Sequence, residues 1–142
     1  MKERQIRHDV IRELVRTSMI KTQDELVAAL TERGFECTQA TVSRDIKDIG
    51  LEKITRRGYV LGEDLRLESM VGDLVVELNS IDNFVLVKAQ SGTAPGVAAA
   101  LDDAKIDGVL GSVSGDDTIL VVCGSANVAR ALYDTLSTYR KG

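Results

Sequence analysis

Four residues punctuate the stretch 22–50 and leave it few ways to fold: Thr22, Gly34, Thr38 and Gly50. Thr22 and Glu25 form a T-x-x-E capping box, so a helix starts near Gln23. Leu26, Val27 and Leu30 give it an apolar face, and Gly34 closes it as a left-handed residue past its end. Thr38 caps the next helix, over about 39–48, where Val42, Ile46 and Ile49 recur at helical spacing before Gly50 stops it. Two short helices joined by a link of only about four residues must cross at a large angle, which is the geometry of a helix-turn-helix. In front of them, Ile6, Val10, Ile11, Leu14 and Val15 mark residues 3–17 as an amphipathic helix.

With Val42, Ile46 and Ile49 turned inward, the last of these helices shows Gln39, Thr41, Arg44 and Lys47, with Ser43 at the margin. These side chains suit DNA: arginine reads guanine edges or holds phosphate, glutamine reads adenine, and hydroxyls and lysine hold phosphate. A polar face taken alone is equally a solvated one. The residues that follow favour DNA. Leu51–Thr55 and Tyr59–Leu61 read as strands around Arg56-Arg57-Gly58, a hairpin with two arginines at its tip. A helix-turn-helix followed by a basic hairpin is the winged arrangement, with the helix in the major groove and the wing on the backbone. Asp45 and Asp48 lie on the same helix and are expected to dilute its charge, so that useful affinity needs several copies.

The overall net charge of −4 hides an asymmetry that agrees with this. Residues 1–61 hold 12 lysines and arginines against 10 acidic residues, net +2; residues 62–142 hold 6 against 12, net −6. Such a split marks two domains and points to a nucleic-acid partner for the basic one. No apolar run approaches the roughly 18 residues a membrane span needs, and the charged start MKERQIRHDV is unlike a secretory leader. The two cysteines, Cys37 and Cys123, suggest no disulfide framework, so a reducing cytoplasm is expected. With His8 as the single histidine and no nucleophile–base pair in view, neither a catalytic residue nor a metal site is expected.

The acidic half reads differently. Residues 65–73 are mixed and charged and are expected to form a linker. Leu74–Ile81 and Phe84–Ala89 form a hairpin around Asp82-Asn83. Thr93 and Pro95 open an Ala-rich helix continuing over Val97–Ala104. Val109–Val113 and Thr118–Cys123 are two more strands, and residues 126–139 form a last amphipathic helix. The order ββαββα implies one antiparallel sheet with both helices on one face. The chain is thus α/β in the α+β sense: a winged helix-turn-helix over 1–64 and a sheet domain over 74–142. A domain this small gains from self-association, and the Ala-rich helix 97–101 and the strand Ile119–Val122 are open to two readings: they offer a surface to a partner copy, or they fill a monomer core.

Gly115-Asp116-Asp117-Thr118 places two adjacent carboxylates at a tight turn. Three readings compete: a solvated hairpin turn, a divalent-metal site short of further oxygen ligands, and a receptor for a cationic ligand, because a guanidinium fork matches a carboxylate.

Thr38-Gln39-Ala40-Thr41-Val42-Ser43-Arg44-Asp45-Ile46-Lys47 resembles the recognition helix of the bacterial arginine repressor family, and residues 108–119, GVLGSVSGDDTI, resemble that family's effector segment. The resemblance is colinear over nearly the whole chain. It implies an L-arginine-responsive regulator whose C-terminal domain forms trimers that pair into hexamers, with L-arginine as co-repressor bound between trimers and no other cofactor. It implies binding to double-stranded operator DNA, repression of arginine biosynthesis genes and, in some members, activation of catabolic genes. Other members act as partners of a second regulator or as architectural factors. Carried over by position, Ser43 and Arg44 match the DNA-contacting pair, and Asp116 and Asp117 match the effector carboxylates. Ser112 stands where the family usually has threonine, and Asp102 takes the place of an aspartate at the helix end. The family's Pro-Gly-x-x-Gln reads here Pro95-Gly96-Val97-Ala98-Ala99, so Ala99 replaces the glutamine; Ala98 is taken as the effector contact from this helix, and the affinity is expected to differ from the family's.

Overall fold

A computed structural model describes residues 2–140, so the expected domain limits at 1 and 142 lie outside the described residues. The chain divides into two compact units, one ending at Gly62 and the other beginning at Glu63.

The first unit holds α1 (Lys2–Thr17), α2 (Gln23–Glu32), α3 (Gln39–Ile49), β1 (Leu51–Ile54) and β2 (Gly58–Leu61). The punctuation residues act as their chemistry dictates. The Thr22 hydroxyl accepts the Glu25 amide at 3.1 Å, and the Glu25 carboxylate reaches back to the Lys21 amide at 2.8 Å, one residue earlier than a standard box. Gly34 takes φ +90°, letting its own amide reach Thr31 O and the Phe35 amide reach Leu30 O, both at 3.0 Å, a Schellman closure. Thr38 accepts the Thr41 amide at 3.2 Å to start α3, and Gly50 ends it with φ +85°. The core gathers Ile11, Leu14, Ile20, Leu26, Leu30, Val42, Leu51, Tyr59 and Leu61. The wing is tied to the helices by main chain: the Tyr59 amide donates to Ile20 O at 2.8 Å, and a Cβ on Gly58 would stand 2.3 Å from that same oxygen, so only glycine fits. Ile6 departs from the expected pattern and stays exposed, and Ile46 and Ile49 are only half-buried.

The second unit holds α4 (Gly62–Leu74, starting at the boundary), β3 (Val75–Ile81), β4 (Phe84–Ala89), α5 (Ala94–Ala104), β5 (Val109–Ser114), β6 (Thr118–Cys123) and α6 (Ala126–Tyr139). The expected linker 65–73 is instead the body of α4: Leu67 and Val71, one turn apart, are buried in the core, while the charged residues of the helix, Glu63, Asp64, Arg66, Glu68 and Asp73, are exposed or half-covered. The four strands form one antiparallel sheet in the order β3-β4-β6-β5. Val85, Val87 and Ala89 of β4 and Ile119, Val121 and Cys123 of β6 point into a core shared with α4, α5 and α6. Ala94, Val97, Ala98, Ala100, Leu101 and Ala104 of α5 are buried there too, so of the two readings of the Ala-rich helix it is the monomer core that it fills. Its small side chains let the helix sit close to the sheet. Thr93 does not cap α5, because its own backbone is already helical; its hydroxyl donates to Gln90 O at 2.6 Å instead.

The opposite face of the sheet is not covered by the helices. Two rows cross it in register: Leu86, Leu120 and Val113, and next to them Ile81, Phe84 and Val122. Ile81, Val113 and Leu120 are exposed by 65%, 68% and 38%, and the others are half-buried.

Candidate nucleic-acid interface and effector site

On α3, Gln39, Ser43, Arg44 and Lys47 are exposed and Thr41 is half-buried. Two of them are engaged locally. The Gln39 amide nitrogen donates to Asp24 of α2 at 3.1 Å, and the Thr41 hydroxyl lies 3.1 Å from that of the capping Thr38. Ser43, Arg44 and Lys47 remain as the outward-facing set, and among the described residues the latter two have no acidic partner. Arg56 and Arg57 are exposed at the wing tip. Arg56 sits at φ +73°, a left-handed backbone that costs a non-glycine residue roughly 1–2 kcal/mol. Lys53 of β1 adds a third exposed cation to the hairpin, with its ammonium 5.9 Å from the centre of the Tyr59 ring. Its place in a strand gave no sign of this in the sequence.

Asp45 and Asp48 do not dilute this surface as expected. Asp45 is only 2% exposed. Its carboxylate accepts both Nε (2.6 Å) and an Nη (2.9 Å) of Arg7 and lies 2.8 Å from His8 Nε2. Asp48, one turn on, pairs with Arg4. Both carboxylates are therefore turned toward α1 and its arginines. His8, Asp45 and Asp48 bring ligand atoms close enough to suggest an ion site, but two guanidiniums already occupy the carboxylates. Burial alone would raise the Asp45 carboxyl; hydrogen bonds from Arg7 and His8, and their charges, outweigh it and hold the group below the ordinary carboxylate range. A depressed carboxyl stabilises the fold above its unfolded range, and that contribution disappears as pH falls through its folded value. Thermal midpoints followed by circular dichroism are thus expected to fall as pH drops below about 4. Asp45→Asn should flatten that dependence, and equal slopes in the two proteins would remove Asp45 from the account.

The effector candidates fall into two places along α5. Asp116 and Asp117 are exposed in the β5–β6 turn beside the helix start. Their main-chain oxygens accept the Ala94 amide (3.1 Å) and the Ala89 amide (2.7 Å), which fixes the turn against β4 and α5. Ser91 donates to the Asp116 carboxylate at 3.0 Å and Thr118 to that of Asp117 at 2.9 Å. Among the described residues neither carboxylate has a basic partner. Asp102 and Ser112 meet at the far end of α5, where the Ser112 hydroxyl donates to Asp102 at 3.3 Å. They line a groove of about 670 Å3 together with Leu101, Lys105, Ile106 and Leu110. Asp102 and Ala94 are separated by about 12 Å of helix at 1.5 Å per residue, so a single protomer does not gather all four candidates at one end. Ala98 lies in the core with 8% of its surface exposed, and Ala99 is the exposed neighbour.

Known proteins match the chain over both units. The family model described as the arginine repressor DNA-binding domain matches residues 2–67, and that for the arginine repressor C-terminal domain matches residues 71–138. The chain belongs to the arginine repressor family. It is 43% identical over 134 residues to an arginine repressor of Pelotomaculum thermopropionicum, covering 86% of this chain and 88% of the relative. It is 43% identical over 139 residues to one from Thermus thermophilus, covering 90% and 85%. The arginine repressor of Bacillus subtilis is 39% identical over 127 residues, covering 82% and 85%. This family member is therefore a DNA-binding regulator and not an enzyme. Among the described residues, no helix is long and apolar enough to cross a membrane.

Proposed function

We propose that this chain is an L-arginine-responsive regulator that binds operator DNA as a hexamer of paired trimers, represses arginine biosynthesis genes and activates catabolic ones. It acts in the cytoplasm, with L-arginine as co-repressor and no other cofactor. The observation that carries the reading is the pair Asp116 and Asp117: two adjacent exposed carboxylates with no basic partner among the described residues. A guanidinium satisfies such a pair in a planar, bidentate fashion. Bound between subunits, it neutralises charges that otherwise repel across the contact. It then favours the assembled state by its differential affinity alone. Asp102 and Ser112 of a neighbouring copy complete the site.

On DNA, α3 enters the major groove with Ser43, Arg44 and Lys47 toward bases and phosphates, Gln39 and Thr41 beside them, while Arg56 and Arg57 hold the backbone. The left-handed backbone at Arg56 supports this, because glycine would build the same turn at lower cost. One copy offers few contacts; six tethered copies multiply affinity without new ones. The uncovered sheet face supports the assembly, since apolar patches of this kind mark interaction surfaces.

The test is a gel shift on the upstream region of the arginine biosynthesis genes, with millimolar L-arginine and with citrulline and lysine as controls. L-Arginine alone should tighten binding, and Asp117→Asn should lose most of that tightening, because an amide offers no charged acceptor. Tight binding indifferent to arginine overturns the effector assignment. Absence of binding in every condition favours instead an architectural or partner role acting through another regulator.

A further inference from the structure

We propose that Arg7 and His8 of α1 are positioning residues for base recognition: through Asp45 they fix the rotation of α3 about its own axis and so aim Arg44 at the groove. The inference rests on α3 being the DNA reader.

Apart from the exposed hydrogen bond from Gln39 to Asp24 of α2, little else orients α3. Its apolar anchorage is one fully buried residue, Val42, with Ile46 and Ile49 half-covered. Apolar contacts are non-directional, so they resist separation of α3 from the unit more than they resist its rolling. The fork from Arg7 to Asp45 is directional: two donors meet two separate carboxylate oxygens. His8 holds one of those oxygens from its neighbouring position. Arg4 repeats the link on Asp48 one turn away. The two arginine–aspartate rungs step in opposite sequence directions along α1 and α3, so together they define an orientation and not merely a point of attachment.

Recognition is sensitive to that orientation. A roll of about 20° moves a side-chain tip lying roughly 6 Å from the helix axis through about 2 Å. That displacement breaks a bidentate contact between Arg44 and a base edge, whereas phosphate contacts tolerate it. Stability alone does not account for the network. A carboxylate buried like Asp45 is costly to desolvate, and apolar residues in place of buried ion pairs often serve stability equally well or better. What a charged fork supplies, and a leucine does not, is angular definition.

The experiment measures the full chain with L-arginine by fluorescence anisotropy, on operator duplex and on a scrambled duplex of equal length. Arg7→Lys keeps the charge and removes the fork. It should retain the wild-type circular dichroism spectrum and wild-type binding to scrambled DNA, while the operator-over-scrambled ratio falls about 10-fold. Asp45→Asn should move the ratio in the same direction. A pair that only stabilises the fold lowers both affinities together and leaves the ratio unchanged, so a folded Arg7→Lys protein with the wild-type ratio overturns the inference. Should Arg7→Lys fail to fold, His8→Gln leaves the fork in place and carries the same test: about a threefold drop is expected, and an unchanged ratio overturns the inference. A wild-type chain with no preference for operator overturns the recognition-helix reading itself, and the inference with it.

Discussion

Arg44→Ala should lower operator affinity by about 5- to 150-fold per site, the consequence of losing about 1–3 kcal/mol of bidentate base contact, while arginine binding and assembly stay intact. The two consequences separate because Arg44 belongs to the compact unit ending at Gly62, whereas Asp116, Asp117 and the open sheet face belong to the unit that follows. Arg44 is exposed and makes no ion pair among the described residues, so its removal leaves nothing unsatisfied in the fold. In the proposed hexamer every engaged copy loses the same contact, so the measured loss should exceed that of a single site. The wing gives the contrasting pattern. Removing Arg57 should weaken operator and scrambled DNA alike and reduce the log–log salt slope by about 0.9 per lost phosphate contact. Gel shift and isothermal calorimetry together check this: wild-type operator affinity in Arg44→Ala would mean that α3 does not read the DNA.

The residues that were legible in the sequence are those whose signal is local. Thr22, Gly34, Thr38 and Gly50 act on amides within a few positions, and the helices and hairpin they delimit appear where their chemistry puts them. Strand β4, strand β6 and helix α6 also match their alternation and periodicity to the residue. What escaped depends on partners far along the chain. Asp45 looks like any surface aspartate until Arg7, 38 positions away, is folded against it. Leu67 and Val71 are too sparse among charges to announce a helix, and only the core they complete makes α4 evident. At the candidate effector site, Asp116 and Asp117 were readable as a turn motif. The phase of α5 was not: it buries Ala98 and exposes Ala99, and that follows from where the helix packs on the sheet. That Asp102 and Ser112 meet at one end of α5 while Asp116 lies at the other is likewise a property of the sheet order, which places β5 at the edge.

The strand Ile119–Val122, read either as partner surface or as monomer core, is both, residue by residue, and this sets up the second large effect. Ile119 is fully buried against the helices, and Leu120 is exposed on the other side. Leu120 lies in the middle of a row, opposite Leu86 on one side and Val113 on the other. If copies associate through this face, Leu120→Asp puts an unpaired carboxylate in the centre of the contact, where desolvation without a partner costs several kcal/mol. Assembly should collapse to monomers in sedimentation velocity, with the circular dichroism spectrum and the protomer's melting cooperativity retained, because the side chain takes no part in the helix-side core. Operator affinity should fall by about 100-fold or more as the tethered copies are lost, and L-arginine should no longer tighten binding. Ile119→Asp, one residue away, should instead unfold the unit, because its side chain points into the core shared with α5 and α6. A Leu120→Asp protein that still sediments as the wild-type assembly would exclude this face as the contact. The same charge at adjacent positions thus separates the surface that joins subunits from the core that makes each one.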